Sequence, residues 1–338
     1  MSVNLRDVAA AARVSVGTVS NVLNHPEVVS ARTLSRVQKS IKELGFVPNS
    51  FARQLRSGYS RTLGLVVPDV GNPFFTEVAR GVEDAARKRD YVVFLCNSDE
   101  SLEKEDRYIN VLIEQRVRGV LITPADIKAD RIDVLRARGI CVTLLDRELK
   151  GVNQCSVSVD DIHGGQIAIE YLTSLGHKRI AWISGPAKIP QVADRGAGVA
   201  KAAKAAGVEI EHIEVPLMNT INGEEAARSL LALDLLPTAV FCANDLLALG
   251  VMRELLNQGI RIPDQLAILG YDDIQFAPSA AVPLSSISQP AYQIGVTAAD
   301  LILSECESEG NHQHQQIKFQ PRLIERASTR RTKAANSE

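Results

Sequence analysis

At 338 residues the chain is too long for one compact core, so two or three domains are expected. Apolar residues make up 45% of it and aromatics only 4%, which suits a helix-rich α/β protein, and no apolar run is long enough to span a bilayer. The net charge of −2 argues against a chain devoted wholly to nucleic acid, yet residues 1–60 hold eight Lys/Arg against three acids, a basic head on an acidic body.

The leading MSVNLRD lacks the pattern of an export signal, so a cytoplasmic protein with no membrane contact is expected. Asn4 with Asp7 reads as a helix N-cap and its reciprocal partner, and Leu5, Val8, Ala9 and Ala12 then share an apolar face. After a tight break at Arg13 and Val14, Ser15 caps a second helix, Val16 to Leu23, with Val19, Val22 and Leu23 turned inward. Two short helices joined this closely form a helix-turn-helix. Its second helix would lie in the DNA major groove and present Ser15, Val16, Gly17, Thr18 and Asn21 to bases and phosphates. The string L-x-D-V-A-x-x-A-x-V-S-x-x-T-V-S-x-V-L-N, from Leu5 to Asn24, resembles the DNA-reading head of LacI/GalR-type bacterial transcription regulators. Arg13 departs from that pattern, which has a glycine in the turn; a positive φ there would strain arginine modestly.

Ser30 caps a third helix that runs to Leu44 and closes at Gly45, with Leu34, Val37, Ile41 and Leu44 as its buried stripe. The stretch from Pro48 to Gly58 has the composition of a linker able to form one or two turns of helix, marginal by itself because nucleation is unfavourable. It resembles the same family's hinge, P-N-x-x-A-R-x-L. The resemblance implies that two hinges pair in the minor groove, with Asn49, Ala52 and Arg53 at the DNA and Leu55 wedged into a base step.

From Thr62 the pattern changes. Apolar, β-branched runs at 63–67, 91–96, 119–123, 141–145, 180–184, 239–242 and 266–270 alternate with helical stretches such as Phe75 to Arg89, Asp161 to Leu175 and Asn244 to Gln258. Such alternation predicts parallel sheets covered by helices on both faces, and the strand number suits two similar sheets. The expected fold class is an all-α helix-turn-helix head plus hinge, followed by an α/β body of two doubly wound parallel-sheet lobes. The expected boundaries are a head at 1–47, a hinge at 48–60, a body at 61–331 and a disordered tail at 332–338. Within the body, one lobe takes about 61–160 and 290–318, the other about 161–289 and 319–331.

Ligands in such folds sit beyond the carboxyl ends of strands. Those ends carry Asn72-Pro73-Phe74-Phe75, Asp146-Arg147, Asn244-Asp245, Asp272-Asp273 and Gln289-Pro290, with Arg195 ahead of a helix. From Leu63 to Arg326 this organisation resembles periplasmic sugar-binding proteins of type I, and most of all the ribose-binding ones. The resemblance implies effector contacts from Asn72, Phe74, Phe75, Asp146, Arg147, Arg195, Asn244, Asp272 and Gln289, with Met218 where those proteins stack a phenylalanine. Val199 likewise stands where an aromatic is usual, so the ligand could differ from a bare pentose.

The chemistry is that of a polyol. Aromatic rings stack on sugar C–H faces, carboxylates accept from hydroxyls and guanidinium groups donate to them. Two aspartates against two arginines leave the pocket near neutral, which favours an uncharged ligand over a phosphorylated one.

The five cysteines, Cys96, Cys141, Cys155, Cys242 and Cys306, are odd in number and far apart, so buried free thiols are expected and no metal or cofactor. His163 and His177 read as helix-end residues, and His312 and His314 make at best a weak metal pair. No phosphate loop, G-x-S-x-G elbow or H-E-x-x-H occurs, and each candidate aspartate has an arginine beside it to lower its pKa, so no enzyme is expected.

The resemblance thus implies a regulator, a repressor by expectation, that binds near-palindromic operator DNA as a homodimer or tetramer and answers to a small sugar, ribose or a ribose-containing compound. Another sugar or a protein partner as effector remains open, and so, less favoured, does a sugar-binding protein without a DNA role.

Overall fold

The computed structural model describes residues 3–46, 60–126, 130–147, 153–308 and 310–330. The chain divides into two compact units, Met1–Ser60 and Arg61–Glu338.

In the first unit, α1 (Leu5–Ala12) begins with a full capping box: Asn4 Oδ1 accepts from the Arg6 and Asp7 amides, and Asp7 Oδ2 accepts from the Asn4 amide at 2.8 Å. Arg13 ends it at φ 51°, ψ 52°, the left-handed region. Its amide and that of Val14 bond back to Ala10 and Ala9, so the turn keeps the ordinary shape and arginine absorbs the strain, roughly 1–2 kcal/mol. Ser15 Oγ accepts from the Thr18 amide at 3.1 Å to start α2 (Val16–Asn24), and Ser30 starts α3 (Ala31–Leu44).

Val8, Ala9, Ala12, Val19, Val22 and Val37 form the small core. Leu44, expected in that core, is 37% exposed, and Phe46 takes its place at 7%. The left-handed Gly45 reverses the chain, the Phe46 amide bonds to Ile41, and the residue beyond the cap folds back over the helix end.

The second unit holds two six-stranded sheets. The first contains β1 (Thr62–Val67), β2 (Val92–Asn97), β3 (Gly119–Ile122), β4 (Cys141–Leu145), β5 (Cys155–Val159) and β11 (Gln316–Phe319), in the order β11-β5-β4-β3-β1-β2, all parallel. The other contains β6 (Arg179–Ser184), β7 (Glu209–Glu214), β8 (Ala239–Cys242), β9 (Ala267–Asp272), β10 (Ser285–Ser288) and β12 (Arg322–Ile324), in the order β12-β10-β9-β8-β6-β7, parallel except where β12 meets β10.

On the first sheet, α4 (Pro73–Arg87) and α11 (Ala291–Glu307) cover one face, while α5 (Leu102–Glu114) and α6 (Asp130–Arg136) cover the other. Burial on both faces is why β1 and β4 read as unbroken apolar runs. On the second, α7 (Asp161–Ser174) packs on α8 (Pro190–Ala206), and α9 (Thr220–Leu231) on α10 (Asp245–Asn257). The α7–α8 contact is backbone to backbone: a Cβ on Gly165 would overlap the Arg195 carbonyl, and one on Gly198 the Ile162 carbonyl. The chain passes between the sheets three times, after Val159, Ser288 and Phe319. Among the described residues no helix is long and apolar enough to cross a membrane.

Candidate ligand cavity and nucleic-acid interface

On the first unit, the start of α2 is an open polar face. Ser15, Val16 (43% exposed), Gly17 and Asn21 are exposed, and Thr18 is half-buried with its hydroxyl 2.9 Å from Ser15 Oγ. Free amides at a helix N-terminus attract phosphate, and the short side chains around Gly17 permit close approach to a groove. Asn49, Ala52, Arg53 and Leu55 lie outside the described residues.

On the second unit, the carboxyl ends of both sheets open onto one cavity of about 400 Å³. All ten side chains singled out from the sequence line it: Asn72, Phe74, Phe75, Asp146, Arg147, Arg195, Met218, Asn244, Asp272 and Gln289.

From the first sheet, Asn72 caps α4, taking the Phe74 amide on Oδ1 at 3.0 Å while Nδ2 donates to Asp272 Oδ2 at 3.4 Å across the lobes. Phe74 and Phe75 follow at once, ring centroids 5.0 Å apart and edge to face. Asp146 ends β4 at φ 54°. Arg147, 7% exposed, leaves Nε and Nη1 without a partner among the described residues.

From the second sheet, Arg195 is held on three sides. Its Nε donates to Asp161 Oδ1 and its Nη1 to the Ala243 carbonyl, both at 2.7 Å, and its guanidinium lies 3.7 Å over the Tyr271 ring. Tyr271 donates in turn to Asp161 at 2.8 Å. Asn244 caps α10 through the Leu247 amide and donates to the Met218 carbonyl, so its role as a cap and its place on the cavity wall coincide. Asp272, at φ 103°, accepts from Gln289 Nε2 at 2.7 Å. Two aspartates in positive-φ conformations, one from each lobe, are the local strain that binding sites concentrate.

Electrostatics overturns one expectation. Burial raises Asp146 to about 7, with the Asp161 charge adding to it and Arg195 and Arg147 only partly opposing. Burial likewise raises Asp272 to about 6 against the pull of Arg195, Gln289 and Asn72. Desolvation thus outweighs the neighbouring arginines. Burial also disfavours the charge on Arg195, but Asp161, Tyr271, Asp272 and Asp146 together outweigh it and the net shift is upward. The count of two aspartates against two arginines was incomplete too, because buried Asp161 takes up much of Arg195.

Three participants escaped the sequence reading. Gln191, at the start of α8, donates from Nε2 to both the carbonyl and the carboxylate of Asp146, at 2.6 and 2.7 Å, joining the lobes. Asp161 and Tyr271 brace Arg195 from behind. No spacing marks Gln191 or Asp161, and only the Gly-Tyr-Asp run hints at Tyr271.

Val199 is buried in the second lobe's core and does not line the cavity. Asp245, at the start of α10, supports rather than lines, accepting from Ser286 and the Ile274 amide. Away from the cavity, Cys155 is a buried free thiol as expected, with Glu305, His312 and His314 gathered around it.

Residues 60–327 match the family model described as periplasmic binding proteins and sugar binding domain of LacI family, and residues 4–49 the model for bacterial regulatory proteins, lacI family. The HTH-type transcriptional repressor PurR of Vibrio cholerae is 33% identical over 325 residues, 95% of this chain and 96% of that protein. The lac repressor dimer bound to operator and an anti-inducer is 26% identical with a TM-score of 0.84, covering 97% of this chain and 99% of that one. A LacI family regulator from Enterococcus faecium with bound ribose is 30% identical with a TM-score of 0.73, covering 79% of this chain and 98% of that one.

Proposed function

The chain belongs to the LacI family and is a DNA-binding transcriptional repressor, not an enzyme, and from that premise we propose that its operator affinity is set by a small neutral sugar, ribose or a ribose-containing compound. The observation that carries this reading is the wall of the cavity. Two phenyl rings stand beside alternating carboxylate, guanidinium and amide groups, the set that a ring of hydroxyls on an apolar carbon frame satisfies. Among the described residues Arg147 Nε and Nη1, Asp146 Oδ1 and Gln289 Oε1 have no partner, so capacity for further hydrogen bonds remains. A relative of similar fold was solved with ribose.

Sugar bound between the lobes draws them together across the Asn72–Asp272 and Gln191–Asp146 contacts. In a dimer, that closure alters the spacing of the two hinges, 48–60, and so the pairing that seats Leu55 in the minor groove. At the major groove, Val16 meets a thymine methyl and Asn21 an adenine or a phosphate. Edge strand β2 supports dimerisation: Val92, Phe94 and Leu95 are exposed along it, an apolar row that suits a second copy.

Calorimetric titration of the full-length protein with ribose, other pentoses, hexoses and nucleosides tests the effector. Saturable heat with ribose or a nucleoside is the expected result. Heat confined to hexoses, or none at all, removes ribose from the proposal.

A further inference from the structure

We infer that Cys155, Glu305, His312 and His314 form a four-coordinate zinc site on the first sheet, remote from the sugar cavity. Cys155 opens β5, Glu305 lies in the last turn of α11, and the two histidines stand in the segment leading into β11. Cys155 Sγ is 3.0 Å from His312 Nε2 and 3.5 Å from His314 Nδ1. The four ligand atoms all lie within 4.8 Å of one another. Around a tetrahedral zinc, with bonds of ~2.0–2.3 Å, ligand atoms stand roughly 3.3–3.7 Å apart. The two sulfur–nitrogen distances bracket that spacing.

The donor set selects the metal. One thiolate, two imidazoles and one carboxylate suit a borderline-soft ion, whereas magnesium and calcium take oxygen ligands. Thiolate and carboxylate together cancel a 2+ charge, so the complex is neutral where the surroundings are partly dry. Hydrogen bonds alone account for the cluster less well: two imidazoles compete for a single thiol, and Glu305 Oε2 is buried without a partner.

The Arg136 guanidinium, near the cluster, donates to the Asn153 carbonyl at 2.6 Å. His312 Nδ1 lies 3.5 Å from Ser304 Oγ, an outer partner that leaves Nε2 free to bind metal.

The site's location gives it a structural task. It ties the end of α11 and the approach to β11 onto β5, and β11 leads directly to the third passage between the lobes.

The test uses full-length protein stripped with a chelator and titrated with zinc, cobalt and, as a control, magnesium. Expected are one zinc per chain by elemental analysis, a thiolate-to-cobalt charge-transfer band with intense four-coordinate visible absorption, and no response to magnesium. Zinc should raise the melting temperature of the wild type and bind more weakly as pH falls, because the thiol proton must leave. His314→Ala and His312→Ala, both on half-buried loop positions, should lower zinc affinity by more than about tenfold and abolish the thermal shift. Cys155→Ser should remove the charge-transfer band, and if that buried substitution unfolds the chain the histidine variants carry the test. A featureless cobalt spectrum, or one that survives both histidine substitutions, overturns the assignment.

Discussion

The two lobes present an arginine each to the same cavity, in opposite circumstances. Arg195, on the second lobe, is compensated within the protein by Asp161, the Ala243 carbonyl and the face of Tyr271. Arg147, on the first, is also buried yet has two guanidinium nitrogens without a partner among the described residues, and burial lowers its pKa. The second lobe's arginine is satisfied before a ligand arrives, whereas among the described residues the first lobe's keeps two donors for what enters, as Gln289 Oε1 on the second lobe keeps an acceptor.

The sharpest way to break this contrast is Arg195→Ala. It strands the Asp161 carboxylate in the interior, and removing one partner of a buried ion pair costs about 3–5 kcal/mol. The expected outcome is a large drop in melting temperature together with loss of sugar binding. A variant as stable as the wild type would mean that Arg195 is no brace. Gly165→Ala tests the same wall through the backbone, since its Cβ would press on the Arg195 carbonyl; the expected result is a similar double loss.

Arg147→Ala is next in size and should behave differently. Deleting a buried donor that lacks partners relieves a desolvation penalty of about 1–3 kcal/mol, which offsets the packing lost, so stability should change little. Sugar affinity should nonetheless fall by roughly 100-fold, because two charge-assisted hydrogen bonds are lost in a dry site. Melting curves and calorimetry on one preparation separate the two effects. A stability loss equal to that of Arg195→Ala would erase the distinction between the lobes.

The same contrast marks what the sequence could tell. Helix caps are local, so Asn4, Ser15 and Ser30 were legible, as were strands buried on both faces such as β1 and β4. Strand ends and the Asn-Pro-Phe-Phe, Asp-Arg and Asn-Asp runs located the cavity wall. Strands β5 and β7 escaped because Ser alternates with apolar residues in CSVSV and acids alternate with Ile in EIEHIE, leaving no apolar run. Bracing residues escaped for a different reason. Asp161 stands 34 positions from Arg195, and Cys155 stands 157 from His312, so only the folded chain unites them. The sign of the aspartate shifts was also out of reach, because proximity of an arginine is visible in sequence whereas the depth of burial is not.

The smallest effect follows from those shifts. In the ligand-free protein Asp146 and Asp272 have pKa values raised above the ordinary carboxylate range, to about 7 and about 6. The folded state therefore holds protons that the unfolded chain has released, and stability declines as pH climbs from about 4 to about 7. A sugar hydroxyl that donates to either carboxyl favours its ionised form, so binding expels a proton and strengthens with pH over the same window. Affinity for ribose should rise by up to about tenfold per pH unit for each carboxyl that ionises, and level off above pH 7. Asp146→Asn should flatten the upper part of that profile, between about 6 and about 7, and leave the part set by Asp272. A profile that is flat in the wild type, or steepest below pH 5, would mean that both carboxyls are already ionised in the free protein and that burial does not govern this wall.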